Sequence, residues 1–144
     1  MPASRADAER RLVTEIEAQI ADPESDIVAI EAVEGRWAVR MKQHTRDFTT
    51  IWFDVGERSV QAEAYLLPAP PKGHTEVYRQ CLVRNPSTWR VRFGLDQEGA
   101  IVLKGRIAIG HFSAPELSLL VAEIYDQVER AFRPLLRAGW EREK

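Results

Sequence analysis

This sequence holds few of the residues that build recognisable chemistry. Its one cysteine, Cys81, cannot close an internal disulfide, so nothing ties the fold to an oxidising compartment and a reducing cytoplasm is the expected setting. The three histidines, His44, His74 and His111, are scattered and lack metal-ligand spacing. There is no P-loop and no glycine-rich dinucleotide turn; Gly105 and Gly110 bracket a strand end without the required pattern. No apolar run approaches the roughly 20 residues of a membrane span. The N-terminal stretch MPASRADAERRLVTEIEAQ is charged throughout, which does not fit a signal peptide. A net charge of -2 and a pI near 6.0 give no bulk attraction to nucleic acid or membrane. Any such attraction must be local.

What is present suits an ordinary globular chain. The 144 residues are 44% hydrophobic and 29% charged, which fits one domain, 1–144, able to bury roughly 70% of its unfolded surface. Residues 1–22 read as an N-terminal helix: Leu12, Val13, Ile16 and Ile20 share a side, Ser4 caps the start and Pro23 stops it. From Asp26 the period becomes two. Ile27 to Val33 and Trp37 to Lys42 alternate around a Glu34-Gly35 turn that pairs Ile30 with Val39 and Val28 with Met41. Asp47 to Leu67 continues as a second hairpin. A turn at Gly56-Glu57 sets Phe53 opposite Val60 and Ile51 opposite Ala62, and pairing Val39 with Ile51 keeps one apolar face across four strands.

Pro68, Pro70 and Pro71 end that meander. A second helix is expected from about Lys72 to Asn85, with Tyr78, Cys81 and Leu82 inside. A third hairpin turns at Gln97-Glu98-Gly99, with Gly99 in the left-handed position. Its register sets Leu95 opposite Ile101 and Phe93 opposite Leu103. On the other face Arg92 then opposes Lys104 and Arg90 opposes Arg106, although like charges directly opposed are destabilising. The C-terminal helix, 113–139, opens on the capping box Ser113-Ala-Pro-Glu116, carries a long apolar stripe from Leu117 to Leu136, and ends at Gly139. The fold class is therefore α+β: an antiparallel sheet of five or six strands with helices packed on one face, in the order α-ββββ-α-ββ-α.

Several blocks in this order, TTIWFDVGERSV, EAYLLPAPP, EVYRQCLVRN, DQEGAIVLKGRI and YDQVERAFRPLLRAGW, resemble the actinobacterial branch of the YbjN-domain proteins, from about Ile27 to Trp140. None of these blocks is a catalytic signature. That family is similar in fold to the type III secretion chaperone-like proteins and is sometimes labelled a sensory transduction regulator. The resemblance implies protein binding, often as a homodimer, rather than catalysis. The chain departs from the family after the PAP block, where acidic residues and an Asn are usual and Lys72-Gly73-His74 stands here. A partner contact made by an acidic helix start would be altered.

The functional hint read from the residues is the outer sheet face. Arg40, Lys42, Arg90, Arg92, Lys104 and Arg106 are expected there among Phe48, Trp52 and Tyr65, opposed by Glu31, Asp54 and Glu63. One reading is a solvated face whose basic side chains lie over the aromatics and pair with neighbouring acids. The other is a docking surface for an acidic protein segment or a second subunit. A single-stranded nucleic-acid binder would also combine basic and aromatic residues, but the element order does not match the common RNA-binding folds. An enzyme is the least supported class and no cofactor or metal is expected. His44 beside Asp47 reads as a loop ion pair before an acid/base pair, and Cys81 as an inert core thiol. Trp37 and Trp140 read as core, and Trp89, a weak interface candidate, also reads as structural first.

Overall fold

The computed structural model describes residues 4–141; residues 1–3 and 142–144 of the expected unit lie outside it. Helix α1, Arg5–Ala21, starts at Ser4, whose hydroxyl accepts from the Asp7 N–H. Strands β1 (Ile27–Val33), β2 (Arg36–Lys42), β3 (Phe48–Val55) and β4 (Ser59–Leu67) follow, then α2 (His74–Arg84), β5 (Val91–Leu95), β6 (Ile101–Ala108) and α3 (Ala114–Gly139). The six strands form one antiparallel sheet in the order β1-β2-β3-β4-β6-β5. The α-ββββ-α-ββ-α order is the one read from the sequence.

Three registers decide which side chains share a face. Glu34 and Gly35 both adopt positive φ, 50° and 82°, the mirror-image turn that matches strand twist. This pairs Ile30 with Val39 as expected, but a bulge then puts Ile27, not Val28, opposite Met41. Ile27 is buried, whereas Val28 is left exposed. In the β3–β4 hairpin the turn sits one residue later than expected, with Glu57 and Arg58 at its tip and the Gly56 N–H bonded to the Ser59 carbonyl at 2.9 Å. Val55 therefore faces Val60, Phe53 faces Ala62 and Ile51 faces Ala64. The expected register would have set Arg58 opposite buried Val55. A one-residue turn slide shifts the pairing by two, so every side chain keeps its face. The third hairpin forms as read: Leu95 faces Ile101, Phe93 faces Leu103 and Arg92 faces Lys104, with Gly99 at φ 83°.

The core lies between one sheet face and the helices. Leu12 and Ile16 of α1, Val39, Met41, Ile51, Phe53 and Leu103 of the sheet, and Leu117, Leu120, Ile124, Val128 and Leu135 of α3 are all buried. Each such side chain contributes roughly 1.5–3 kcal/mol, and α3, at 26 residues or about 39 Å, is long enough to span the sheet. Gly105 on β6 is what lets α3 close on the strands, since a Cβ there would stand 2.7 Å from the Arg90 carbonyl oxygen and 3.0 Å from Leu120 Cδ1. The inner side of α2 is Val77 and Cys81, with Leu82 69% exposed. The helix is rotated from the expected Tyr78–Cys81–Leu82 face because it packs against both α3 and β5. At the end of α3, Gly139 works by close approach, a Cβ there standing 3.1 Å from Pro70 and Val77. It lies within the helix and does not take the positive φ of a stop signal.

Candidate functional site

Alternation along β2, β3, β4, β5 and β6 sends their even or odd partners of the core residues to the opposite, helix-free face. Six basic side chains, Arg36, Arg40, Lys42, Arg92, Lys104 and Arg106, stand there with three acidic ones, Glu31, Asp54 and Glu63. Phe48, Trp52 and Tyr65 are on it as expected, Phe48 at 38% and Tyr65 at 44% exposure. Arginines cap two of the rings: the Arg40 guanidinium is 3.7 Å from the Phe48 centroid and that of Arg36 is 4.6 Å from Trp52. Such contacts hold the cations in place while leaving their outer N–H groups free to bond. Arg36 was not singled out from sequence because it follows the Glu34-Gly35 turn directly.

The like-charge pair of the last hairpin is resolved by sending the two cations apart. Lys104 meets Glu63 at 3.4 Å. Arg92 turns to the loop before β5, where its Nη1 donates to Thr88 Oγ1 at 2.9 Å and to the Val91 carbonyl at 2.8 Å. Arg90 does not oppose Arg106, since β5 starts only at Val91. Its guanidinium instead holds both carboxylate oxygens of Glu116, at 2.9 and 3.2 Å. This bidentate bond raises Arg90 and lowers Glu116 from their ordinary values. Glu116 therefore closes a tertiary contact and not the second half of the expected capping box; Ser113 alone caps α3.

Two carboxylates on α3 set the loops around this face. Glu123 accepts three consecutive backbone N–H groups, those of Trp89 at 2.9 Å, Arg90 at 2.6 Å and Val91 at 2.8 Å. Glu129 accepts from Gln43 Nε2 at 2.7 Å and from the His44 and Thr45 N–H groups at 2.9 and 3.1 Å. Desolvation pushes the Glu129 carboxyl up, but the bonds from Thr45, Gln43 and His44 outweigh it and its net shift is downward. The expected His44–Asp47 ion pair does not form; the loop is held through its backbone instead. Neither glutamate was visible as an anchor in sequence, where each is one polar residue on the outer side of an amphipathic helix.

The Glu123 clamp displays Trp89, which is 81% exposed. Trp89 and Arg90 border two shallow depressions. One, of about 630 Å³, lies on the sheet face over Arg36, Trp52, Arg92, Lys104 and Arg106. The other, of about 780 Å³, lies on the helix side beside Glu24, Asp26, Leu119 and Asp126. Basic and acidic ground thus meet at one exposed tryptophan. Of the other shifted groups, Tyr125 lines the helix-side depression and is raised by burial and by the nearby Glu129 and Asp26 carboxylates; burial pushes the Cys81 thiol up to about 11, and burial lowers Arg46, whose guanidinium is fixed on the Leu66 and Tyr65 carbonyls at 2.6 and 2.8 Å. No helix among the described residues is long and apolar enough to cross a membrane.

The chain's relatives agree with this architecture. Residues 13–137 match the sequence profile of the YbjN family, described as "Putative bacterial sensory transduction regulator". An uncharacterised Mycobacterium leprae protein is 31% identical over 105 residues, 73% of this chain and 57% of the relative. An uncharacterised Mycobacterium tuberculosis protein is 34% identical over 86 residues, 60% of this chain and 47% of the relative. The chain spans about half the length of the curated relatives it matches. Among solved structures, a chain of the heterodimeric complex ExoU-SpcU from the type III secretion system of Pseudomonas aeruginosa shares the fold with a TM-score of 0.54 at 18% identity, covering 85% of this chain and 94% of that one. YbjN from E. coli does so with a TM-score of 0.56 at 12% identity, covering 81% and 85%. With the profile match running from the middle of α1 to the last turn of α3 and taking in α2 and strands β1 to β6, this chain belongs to the YbjN family.

Proposed function

We propose that this chain is a non-enzymatic protein-binding module, chaperone-like or regulatory, which works as a homodimer in the cytoplasm and engages an acidic segment of its partner on the helix-free sheet face. The observation that carries the reading is Trp89, an 81% exposed aromatic clamped by three backbone bonds at the rim of a basic groove. A large, rigid aromatic loses little entropy on binding and is the residue type that anchors interfaces. The groove beside it carries Arg36, Arg92, Lys104 and Arg106 against Asp54 and Glu63, so an acidic segment is the complementary occupant and salt should weaken it. Phe48, Trp52, Tyr65 and Arg40 extend the same surface across β3, β4 and β2, and Arg90 supports it from the rim through Glu116.

The perturbed groups favour binding over catalysis. Glu116, Glu129 and Cys81 sit on separate parts of the fold and each is engaged in packing or a structural bond, which is not the convergence an active site requires. A homodimer enters the reading through the resemblance to dimeric secretion chaperones.

The test compares wild type, Trp89→Ala and the Arg92→Ser/Lys104→Ser pair, each immobilised and challenged with native lysate at low and high salt, with retained proteins quantified by mass spectrometry. The reading expects one set of acidic proteins to be lost from both variants and from wild type at high salt. An unchanged set of retained proteins and an unchanged oligomeric state in both variants would sink it.

A further inference from the structure

Trp89 stands just before β5, an edge strand of the sheet, where the helix layer and the outer sheet face meet. The backbone of that edge is closed. The Val91 N–H donates to Glu123 and its carbonyl accepts from Arg92, both at 2.8 Å, while the Phe93 N–H and carbonyl bond to the Asn85 side chain at 2.7 and 3.2 Å. A further strand has nothing to pair with there, so whatever covers Trp89 meets side chains. Leu119, 49% exposed, borders the same helix-side depression as Trp89, which makes the middle of this surface apolar.

Its two flanks carry opposite charge. The sheet-side depression is lined by Arg36, Arg92, Lys104 and Arg106 against Asp54 and Glu63. Lys104 pairs with Glu63, but no carboxylate among the described residues forms an ion pair with Arg36, Arg92 or Arg106. The helix-side depression is lined by Glu24, Asp26, Glu123 and Asp126 against Arg130, with Arg90 shared by the two sides. Arg130 pairs with Asp126 at 3.2 Å, and backbone N–H groups take up Glu123. Glu24 and Asp26 have no cationic partner among the described residues. Positive ground thus lies on one side of Trp89 and negative ground on the other.

We propose that a second copy of this chain covers Trp89 about a two-fold axis along β5, so that the acidic helix-side depression of each copy meets the basic sheet-side depression of the other. Such an axis reverses the direction from helix layer to sheet face, and symmetry makes both charge contacts twice. An axis at right angles to it in the same contact would set acidic ground on acidic and basic on basic, which is repulsive. The occupant follows from this layout, because one chain supplies both halves of the complement around an apolar centre. The proposal rests on the dimer reading above and assigns its contact surface. It also names what fills the basic groove in the absence of another protein: the other copy's Glu24 and Asp26, which an acidic segment must displace.

Sedimentation velocity and light scattering at low and high salt test this on the full chain. The proteins are wild type, Arg36→Glu/Arg106→Glu, Glu24→Lys/Asp26→Lys, the variant that combines all four reversals, and Trp89→Ala, each checked for native circular dichroism. All four reversed positions are exposed, so the core is untouched. Wild type is expected to be a dimer that salt weakens. Trp89→Ala and each one-sided reversal self-associate roughly tenfold more weakly or worse, since a reversal sets like charge on like. The combined variant, and an equimolar mixture of the two one-sided reversals, recover the dimer. One-sided reversals that dimerise as wild type does overturn this interface and leave the homodimer reading standing on another surface. Monomeric wild type at every concentration overturns the dimer reading and the proposal together. Reversals that dissociate without recovery in the combined variant or the mixture overturn the pairing of one flank with the other, and an undiminished Trp89→Ala dimer overturns the position of the axis.

Discussion

Replacing Glu123 with alanine should both destabilise the fold and free Trp89. The carboxylate accepts the N–H groups of Trp89, Arg90 and Val91 at 2.9, 2.6 and 2.8 Å. A hydrogen bond to a charged group contributes about 1.5–3 kcal/mol. The Trp89 N–H is exposed, so water replaces its bond at little cost, but the other two are part-buried and Val91 is fully buried. Two bonds at the lower end of the range give a loss of about 3 kcal/mol, reduced by a few tenths through the better helix propensity of alanine. In a domain near this size that corresponds to roughly 6–12 °C in Tm. Glu123→Gln keeps one neutral acceptor and should lose about half as much. Urea unfolding measures the stability change, hydrogen exchange reads the amides of residues 89–91, and anisotropy of a Trp-selective probe at position 89 reads its mobility. A Glu123→Ala loss below about 1 kcal/mol, with exchange at 89–91 unchanged, would refute the clamp as the element that presents Trp89.

Two further outcomes follow from named groups. Glu129 has its folded-state value lowered relative to its ordinary 4.5, so its contribution to stability is fully present above that pH and is lost as pH falls through the lower folded value. Glu129→Gln should therefore flatten the acid limb of the stability–pH curve below about 4.5, and an acid limb identical to wild type would remove Glu129 as its source. Cys81, with its thiol pushed from 9.0 to about 11 by burial, should react with a neutral thiol reagent at pH 8 about 100-fold more slowly in native than in unfolded protein; equal rates would show that the thiol is accessible and ordinary.

Local pattern determined much of this molecule. The parity of strands β2 to β6, the Ser4 and Ser113 caps, the left-handed Gly99 and the stripe of α3 are set by residues within a few positions of one another, and the structure keeps all of them. Parity explains why the misplaced β3–β4 turn left Phe48, Trp52 and Tyr65 on the outer face: the slide moved partners by two and sides by none. The bulge that exchanged Val28 for Ile27 was not legible, because both are apolar and β-branched and only tertiary packing, in which β1 lies against α1, distinguishes them. Arg90 looked like one more member of a basic row until the strand began one residue later and Glu116 of α3 came within reach.

Only tertiary structure decided the site. Glu123 and Glu129 lie 34 and 85 residues from the Trp89 and His44 groups they hold, and no period of one sequence records which carboxylate meets which loop. The insertion of β6 between β4 and β5 brought Lys104 to Glu63. The same order left β5 at an edge, capped by Asn85 and Glu123. Alternation is dictated by covalent geometry and can be read along the chain, whereas edge protection depends on which distant polar groups arrive once the layers have packed.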